Sequence, residues 1–558
     1  MSKHDQALIS SGEEQGKFNE NSTELIKIQP VFIDLNNPEP FINEIEELFV
    51  PGNTIPHNKI LEQLISQIEP LDFEALAFPV VHDLRKQKAE LEEKLINSDG
   101  MPNATDNFEK DRSLLNTINK QLEKIKLGPP HYIILSIENI LEIAGDNKWG
   151  LCKNQSFIYL FNGAYWSNLD KDILQKFIGE AAEAMGVNKY DARYFQFKDL
   201  LYKQFLATAH LPAPECNNDL VMINMLNGTF EISNKQTQLR HFNQADFITY
   251  QLPFKYDSES KAPLYEHYLN HVLPDKASQD VLAEFIGYLF VKHGSNSLKE
   301  EKALILYGSG ANGKSVFFEI INAMLGSENV SSYSLQSLTA REGYYRAKLA
   351  NVLVNYASEI NGNLETSIFK QLVSGEPVEA RLPYGQPFML TQYAKLIFNC
   401  NELPKDVEHT AAYFRRFLII PFDVTIPEAE QDKNLHTKII GNELSGVFNW
   451  ALEGLRRLLL QKKFTYCDAA HKALEQYKLE SNSVKLFLKE HEYEPDPKNS
   501  RLVKDLYDEY KYFCIESGLL YFKRINFTKQ LRASGIQQGR EGGTGKNIAY
   551  LTRVPQNF

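Results

Sequence analysis

The spacing of apolar residues changes several times along the chain, and each change predicts a different kind of element. Between about Phe73 and Leu127, two charged helical patterns, "ALAFPVVHDLRKQKAELEEKLI" and "DRSLLNTINKQLEKIKL", flank the turn-rich "NSDGMPNATDN". The plain expectation is an antiparallel helical hairpin, in which Glu90, Glu92 and Glu93 lie within helical reach of neighbouring lysines. Charge runs of this kind mark solvated faces first and partner-binding arms second. "GPPHYIILSI" is read as a break, and a mixed α/β region follows to about residue 260. In that region "SFIYLFNGAYWSNL" and "MINMLNGTFEI" each place an Asn-Gly between apolar runs, the short-range signature of a β-hairpin. From Tyr265 to Gly294 the period is helical, with Pro274 separating two segments. Four short apolar runs then read as strands: "ALILY", "ANVLVNYASEI", "AKLIFNCNELP" and "RRFLIIPF". "VEARLPYGQPFML" reads as two strands joined by a Pro-Tyr-Gly tip.

The first of those apolar runs leads into the strongest chemical signal. "GSGANGKS" fits G-x-x-x-x-G-K-[ST] at Gly308, Gly313, Lys314 and Ser315, and the amphipathic "SVFFEIINAML" opens directly after it. Glycines permit a turn that aims backbone N–H groups at phosphate oxygens, and a helix N-terminus adds partial positive charge. The predicted nucleotide contacts are Gly308, Ser309, Gly310, Ala311, Asn312, Gly313, Lys314, Ser315 and Val316. Lys314 is expected to neutralise the β/γ-phosphates of ATP and Ser315 to hold Mg²⁺. A second glycine-rich stretch, "GREGGTGKN", lacks the first glycine at the required spacing and reads as a hairpin tip.

A phosphate cradle alone does not separate a kinase from a motor. "ANVLVNYASEI" ends in Glu359, where an acid can polarise the attacking water and support the metal; the pair there is Ser358-Glu359, a single carboxylate. The run "AKLIFNCNELP" carries Asn401, whose amide can orient water or the γ-phosphate, although Asn at a strand end is also a common turn residue. Arg415 and Arg416 follow with no evident acid partner in the local sequence, which fits an arginine finger offered to a neighbouring subunit.

In this order the motifs resemble the superfamily 3 helicases, in particular the phage, plasmid and poxvirus-type replicative helicase–primase family. The resemblance spans roughly residues 145 to 550 and is carried by "NGAYW", "NGTFEI", "HFNQADFITYQLPFKYD", "YGSGANGKS", "NYASEI", "FKQLVSGEPVEARLPYGQPF", "AKLIFNCNELP" and "RRFLIIPF". It implies that Glu359 is the Walker B acid, that Asn401 is the sensor, and that Arg416 is the first choice for the finger with Arg415 as alternate. The segment from Phe369 to Phe388 then corresponds to a hairpin reaching into the channel of a hexameric ring. Arg381 would meet phosphate there, Tyr384 would stack on a base, and Lys370 is a further basic candidate. A surface hairpin with a turn tyrosine is the bland alternative.

The last eighty residues read as three helices and a basic hairpin, the winged-helix pattern that the family also carries. Tyr521 to Arg553 holds seven Lys/Arg against the single acid Glu541. Lys523, Arg524, Lys529, Arg532, Arg540 and Lys546 fall on or beside the third helix and the wing, where DNA phosphates are expected. The expected fold is therefore α/β: a P-loop AAA+-like ATPase core, a mixed α/β N-terminal region and a C-terminal winged-helix domain. The expected divisions are a disordered tail over 1–25, a helical accessory domain over 26–144, an α/β domain over 145–262, the ATPase over 263–425, a helical region over 426–479 and the winged helix over 480–558.

Composition narrows the partners. The chain has 558 residues, enough for several cores, and a formal charge of −12, which excludes a uniformly basic nucleic-acid coat but allows a local basic surface. No apolar run reaches the length of a membrane span and the first residues are polar without a secretory pattern, so a cytoplasmic protein is expected. The five cysteines show no metal-ligand spacing and are expected to be reduced and buried. Residues 1–145 offer the lone Asp34 and no acidic pair or zinc cluster, so priming is expected from a separate primase or polymerase. The leading expectation is an ATP-driven replicative helicase on single-stranded and forked DNA, for a phage, plasmid or mobile element. An origin-melting initiator or loader is the alternative, and a P-loop small-molecule kinase is a third reading weakened by the extra hairpin and paired arginines.

Overall fold

The computed structural model describes residues 55–98, 105–209, 220–233, 237–295, 298–358, 360, 365–383, 385–404 and 407–554. The tail expected over 1–25, Asp34, Cys216, Glu359 and Tyr384 lie outside the described residues.

The chain opens with helices α1 (His57–Ser66), α2 (Phe73–Ala77), α3 (Val80–Ser98), α4 (Thr105–Lys124) and α5 (Pro129–Asp146). Helices α3 and α4 pack along each other, as their charge patterns imply. Two proline readings need correction. The first helical pattern is divided by Pro79, because the residue before a proline is pushed out of the α region, and Phe78 sits at φ −136°, ψ 75°. Pro129 and Pro130, read as a break, occupy the first turn of α5, where a missing N–H costs nothing.

Strands β1 (Gly150–Asn154), β2 (Phe157–Phe161) and β3 (Trp166–Asn168) form an antiparallel sheet in that order. The Asn162 amide oxygen accepts from the backbone N–H groups of Ala164 and Tyr165 at 3.0 Å each and so builds the β2–β3 turn. All five residues of β2 are buried because both faces are covered. Ile158 and Leu160 face a core formed with α1, α5, α6 (Lys171–Ala184) and α8 (Phe195–Thr208), which lie either side of the short α7 (Lys189–Arg193). Phe157, Tyr159 and Phe161 face the opposite way, toward Phe247 and, from the hairpin region much later in the chain, Leu382 and Phe388. A second antiparallel sheet, β4 (Val221–Met225), β5 (Gly228–Ile232) and β6 (Thr237–Arg240), turns through Asn227-Gly228.

After α9 (Pro263–Val272) and α10 (Lys276–Tyr288), divided at Pro274 as the pattern predicts, comes a parallel sheet. Its strands are β7 (Ala303–Tyr307), β8 (Val330–Ser331), β9 (Val354–Ala357), β12 (Lys395–Cys400) and β13 (Phe417–Pro421), in spatial order β13-β7-β12-β9-β8. Parallel strands covered on both sides read as unbroken apolar runs, and β7 alternates its residues between two cores. Leu304 and Leu306 pack with α9, α10, α11 (Lys314–Leu325) and α17 (Leu444–Gln461), while Ala303 and Ile305 pack with α14 (Thr366–Ser374) and α18 (Asp468–Glu480). Between β9 and β12 stand α14 and a two-stranded antiparallel hairpin, β10 (Val378–Arg381) and β11 (Pro387–Leu390), in the register Val378↔Leu390 to Arg381↔Pro387. Arg346, buried on α13 (Tyr344–Ala347), donates from Nε to the Glu379 carbonyl at 2.6 Å and ties β10 to the parallel-sheet domain.

The C-terminal core is built from α19 (Ser483–Glu490), α20 (Val503–Glu516), α21 (Arg524–Ala533) and a three-stranded antiparallel sheet ordered β14-β16-β15. Strand β14 (Tyr493–Leu502) is not expected from its sequence, "YEPDPKNSRL": two prolines and four charges hide the period. It tolerates them at an edge, with the ladder to β16 (Asn547–Arg553) interrupted between Pro495 and Ser500. "GREGGTGKN" is the connection between β15 (Gln538–Arg540) and β16, in keeping with a hairpin tip.

Candidate functional site

The carboxyl ends of parallel strands are where open α/β sheets bind ligands, and three strands deliver predicted residues to one such edge here. The loop after β7 lines a cleft of ≈ 740 Å³ through Gly310, Ala311, Asn312, Gly313, Lys314, Ser315 and Val316; Ser358 after β9 and Asn401 after β12 complete that side. Gly308 and Ser309 begin the loop outside the lining. Asn399 also faces the cleft and accepts from Tyr356 Oη at 3.0 Å. Glu359, next to Ser358, is outside the described residues.

Local backbone explains the glycines. Gly313 caps α11 at φ +85°, and a Cβ there would stand 2.8 Å from Val272 Cγ1. A Cβ on Gly308 would come within 2.5 Å of the Phe422 carbonyl. Because the N-cap is a glycine without a capping side chain, the first-turn N–H groups of α11 remain available to an anion. Lys314 is buried; its ammonium donates to the Gly308 carbonyl at 2.7 Å and Asn312 Oδ1 at 3.0 Å, and desolvation lowers its pKa. Both acceptors are neutral groups of its own loop, so a phosphate would supply the charge it lacks. Asn312 Nδ2 in turn donates to Phe422 O at 2.9 Å, which fastens the loop to the strand edge.

The opposite wall is not among the residues that the sequence motifs single out. His267, Tyr268 and His271 of α9 face the phosphate loop, and Tyr268 Oη donates to the Gly313 carbonyl at 2.8 Å. The segment after β13 folds back across the cleft, with Ile426 N donating to Ala311 O at 2.8 Å and Glu430, Gln431, Asp432 and Lys433 on the rim before α16 (Leu435–Asn442). The i, i+4 spacing of His267 and His271 is visible in "YEHYLNHV", but nothing local says that this face meets a loop forty residues later.

For a divalent cation, the described residues offer the Ser315 hydroxyl at the cleft wall and no cluster of three His, Cys, Asp or Glu side chains. That donor set fits a magnesium ion carried largely by nucleotide oxygens and water.

The two arginines differ. Arg415 is the exposed one, with 61% of its side chain accessible, and pairs with Glu301 at 2.8 Å. Arg416 is 8% accessible; its guanidinium donates to Ser374 Oγ at 2.7 Å and to the Ala412 carbonyl, and lies 3.5 Å from the same Glu301. No acid partner is evident in the local sequence, and the one the fold supplies is Glu301, from more than a hundred residues upstream.

Among the predicted strand contacts, Arg381 is exposed at the end of β10 with Nε donating to Gly385 O at 2.9 Å. Tyr384, at the tip, is not described. Lys370 is half-buried and paired with Glu408 at 2.6 Å, so its charge is already matched. Lys523, Arg524, Lys529, Arg532, Arg540 and Lys546 are all on or beside α21 and the β15–β16 hairpin, at the surface of the C-terminal core.

Two family models match the chain: "D5 N terminal like" over residues 140–274, and a family of unknown function (DUF5906) over residues 306–416. The chain is 29% identical over 168 residues to "Putative helicase L207/L206" of Acanthamoeba polyphaga mimivirus, covering 28% of this chain and 16% of that protein. It is 23% identical over 345 residues to "Putative helicase 121R" of Invertebrate iridescent virus 3, covering 53% and 35%. The chain is related to the D5-type superfamily 3 helicase–primases. It spans well under half the length of either of these viral relatives. Among solved structures, the apo NrS-1 C terminal region (305-718) resembles this chain at 13% identity with a TM-score of 0.45, covering 74% of this chain and 98% of that one. No described helix is long and apolar enough to cross a membrane.

Proposed function

We propose that the chain is the ATP-driven motor of a DNA helicase, acting on single-stranded and forked DNA as a homo-oligomeric ring, hexameric by its resemblance. The observation that carries this reading is the convergence on one cleft of a phosphate loop, the strand-end Ser358 and the strand-end Asn401, with a separate hairpin standing between β9 and β12. A small-molecule kinase has no use for that hairpin.

In this mechanism the α11 amides and Lys314 would hold the β/γ-phosphates, Ser315 and Glu359 would hold Mg²⁺, and Asn401 would orient the attacking water. When bound, Mg²⁺ would supply neutralising charge to the phosphates. Arg415 is the better finger for a neighbouring subunit's nucleotide because it is exposed, whereas Arg416 would have to leave a buried pocket. Arg381 and Tyr384 grip the strand, and hydrolysis moves the hairpin. We keep the division into an ATPase over 263–425 and a winged-helix domain over 480–558, whose basic surface residues contact duplex phosphates.

Strand displacement from a forked duplex, run with ATP and beside particle imaging, tests the reading. ATP-dependent unwinding by closed rings is expected; a monomer that hydrolyses ATP at full rate with DNA present would end it. DNA affinity should also fall with salt, by about 0.9 in log–log slope for each duplex phosphate contacted.

A further inference from the structure

A second cavity, of ≈ 270 Å³, lies at the amino-terminal ends of β9 and β12, on the far side of the sheet from the nucleotide cleft. Its wall joins the β1–β2 turn, the segment Phe247–Tyr250, the residues after α10 and the start of β12. The wall contains Lys292, His293 and Lys395 and, among the described residues, no carboxylate. The Lys395 ammonium is buried, 3.0 Å from the Val291 carbonyl, 3.2 Å from His293 Nδ1 and 4.6 Å from the centre of the Tyr288 ring. Desolvation pushes Lys395 down to about 7, and His293 is also lowered, first by burial and then by Lys395 itself.

Two further observations point to a ligand. Asn154 is a buried residue whose amide makes no side-chain hydrogen bond among the described residues and lines the cavity, which leaves its donors and acceptor open to a ligand. Gln155, Phe247 and Asn351 hold φ of +51°, +47° and +63°; they are three of the seven described non-glycine residues at positive φ, and all three line this cavity. Such strain concentrates at binding sites, and another of the seven, Ala311, sits in the phosphate loop.

We propose that this cavity binds a mononucleotide unit, one nucleobase bearing one phosphate, at a site separate from the ATP cleft. Tyr159 and Phe290 give the base an aromatic wall, Asn154 reads its polar edge, and Lys292 at the rim with Lys395 inside meets the phosphate. The unit comes either from a free nucleotide or from a nucleotide of a bound strand; both present the same chemistry.

The test is equilibrium dialysis of labelled dTMP against the full chain carrying Lys314→Ala, which disables the ATP cleft. One dTMP per chain is expected. Asn154→Leu should weaken it at least ten-fold, and Lys292→Glu, at an exposed position where folding is not at stake, at least three-fold. Displacement of dTMP by 5′-phosphorylated oligo(dT) assigns the site to a strand nucleotide; dTMP retained under saturating oligo(dT) assigns it to a free one. No dTMP binding in the Lys314→Ala protein, or an affinity unchanged by both variants, overturns the proposal. ATP turnover by the unaltered chain is read separately, so this site and the proposed motor can fail independently.

Discussion

Two buried lysines sit at opposite ends of the same sheet without a carboxylate partner among the described residues, and they are held in opposite ways. Lys314 bonds to two groups of its own loop, Gly308 O and Asn312 Oδ1. That loop contains three of the left-handed residues, Gly310, Ala311 and Gly313, and an incoming phosphate can replace both bonds without disturbing the core. Lys395 begins a central strand and is held by the Val291 carbonyl, His293 and the face of Tyr288, all fixed by α10 and the short segment behind it. Both are lowered in pKa by desolvation. The same electrostatic cost thus leaves one lysine exchangeable and the other anchored, and it is the neighbouring backbone that decides which.

The contrast can be broken most sharply at Lys314. Lys314→Ala should reduce ATP hydrolysis on the order of 10³-fold in a phosphate-release assay while leaving the melting temperature nearly unchanged; retained turnover would remove the cleft from the chemistry. Arg415→Ala comes next, with a comparable or slightly smaller loss of about 10²–10³-fold in assembled protein, recovered in part when mixed with Lys314→Ala subunits. If no mixture recovers activity, the finger does not act across an interface. Arg416→Ala should instead act through stability, lowering it by about 1–3 kcal/mol in denaturant unfolding because Ser374 and Glu301 lose a buried partner. Normal stability with lost turnover would restore Arg416 as the finger.

The remaining test reads a slope and not a loss, and it belongs to Lys395. Its folded pKa of about 7 lies below the ordinary lysine value of 10.5, so between those two values the unfolded chain holds a proton that the folded chain has released. Stability therefore rises with pH across that window, by at most about 1.4 kcal/mol per unit, and the cost is fully present below 7. Lys395→Met should flatten that part of the stability profile; an unchanged slope would mean that the ammonium is not desolvated.

The phosphate loop is legible because strand, glycines and helix are contiguous in sequence, so local geometry and chemistry coincide within "ALILYGSGANGKSVFFEIINAML". Four of the five parallel strands are legible as short, largely apolar runs, whereas β8, only Val330–Ser331, is too short to show a pattern. The features that escape a reading of the sequence depend on distance along the chain. Glu301 meets Arg415 and Arg416 only because β7 and β13 are neighbours. His267 and His271 face the cleft only because α9 crosses the phosphate loop, and Lys395 looks like any lysine opening a strand until α10 covers it. Strand β14 is hidden because its prolines and charges are tolerated by an edge, a property of the partner strand and not of the segment.

The rings of Phe388 and Phe157 meet edge to face with centroids 5.7 Å apart, joining the β10–β11 hairpin to the β1–β3 sheet. In the proposed motor this contact is a gear tooth: a stroke of the hairpin would either carry that sheet with it or first unmesh the aromatic pair. Phe157, more than two hundred positions away, would then be a brake as much as a piece of packing.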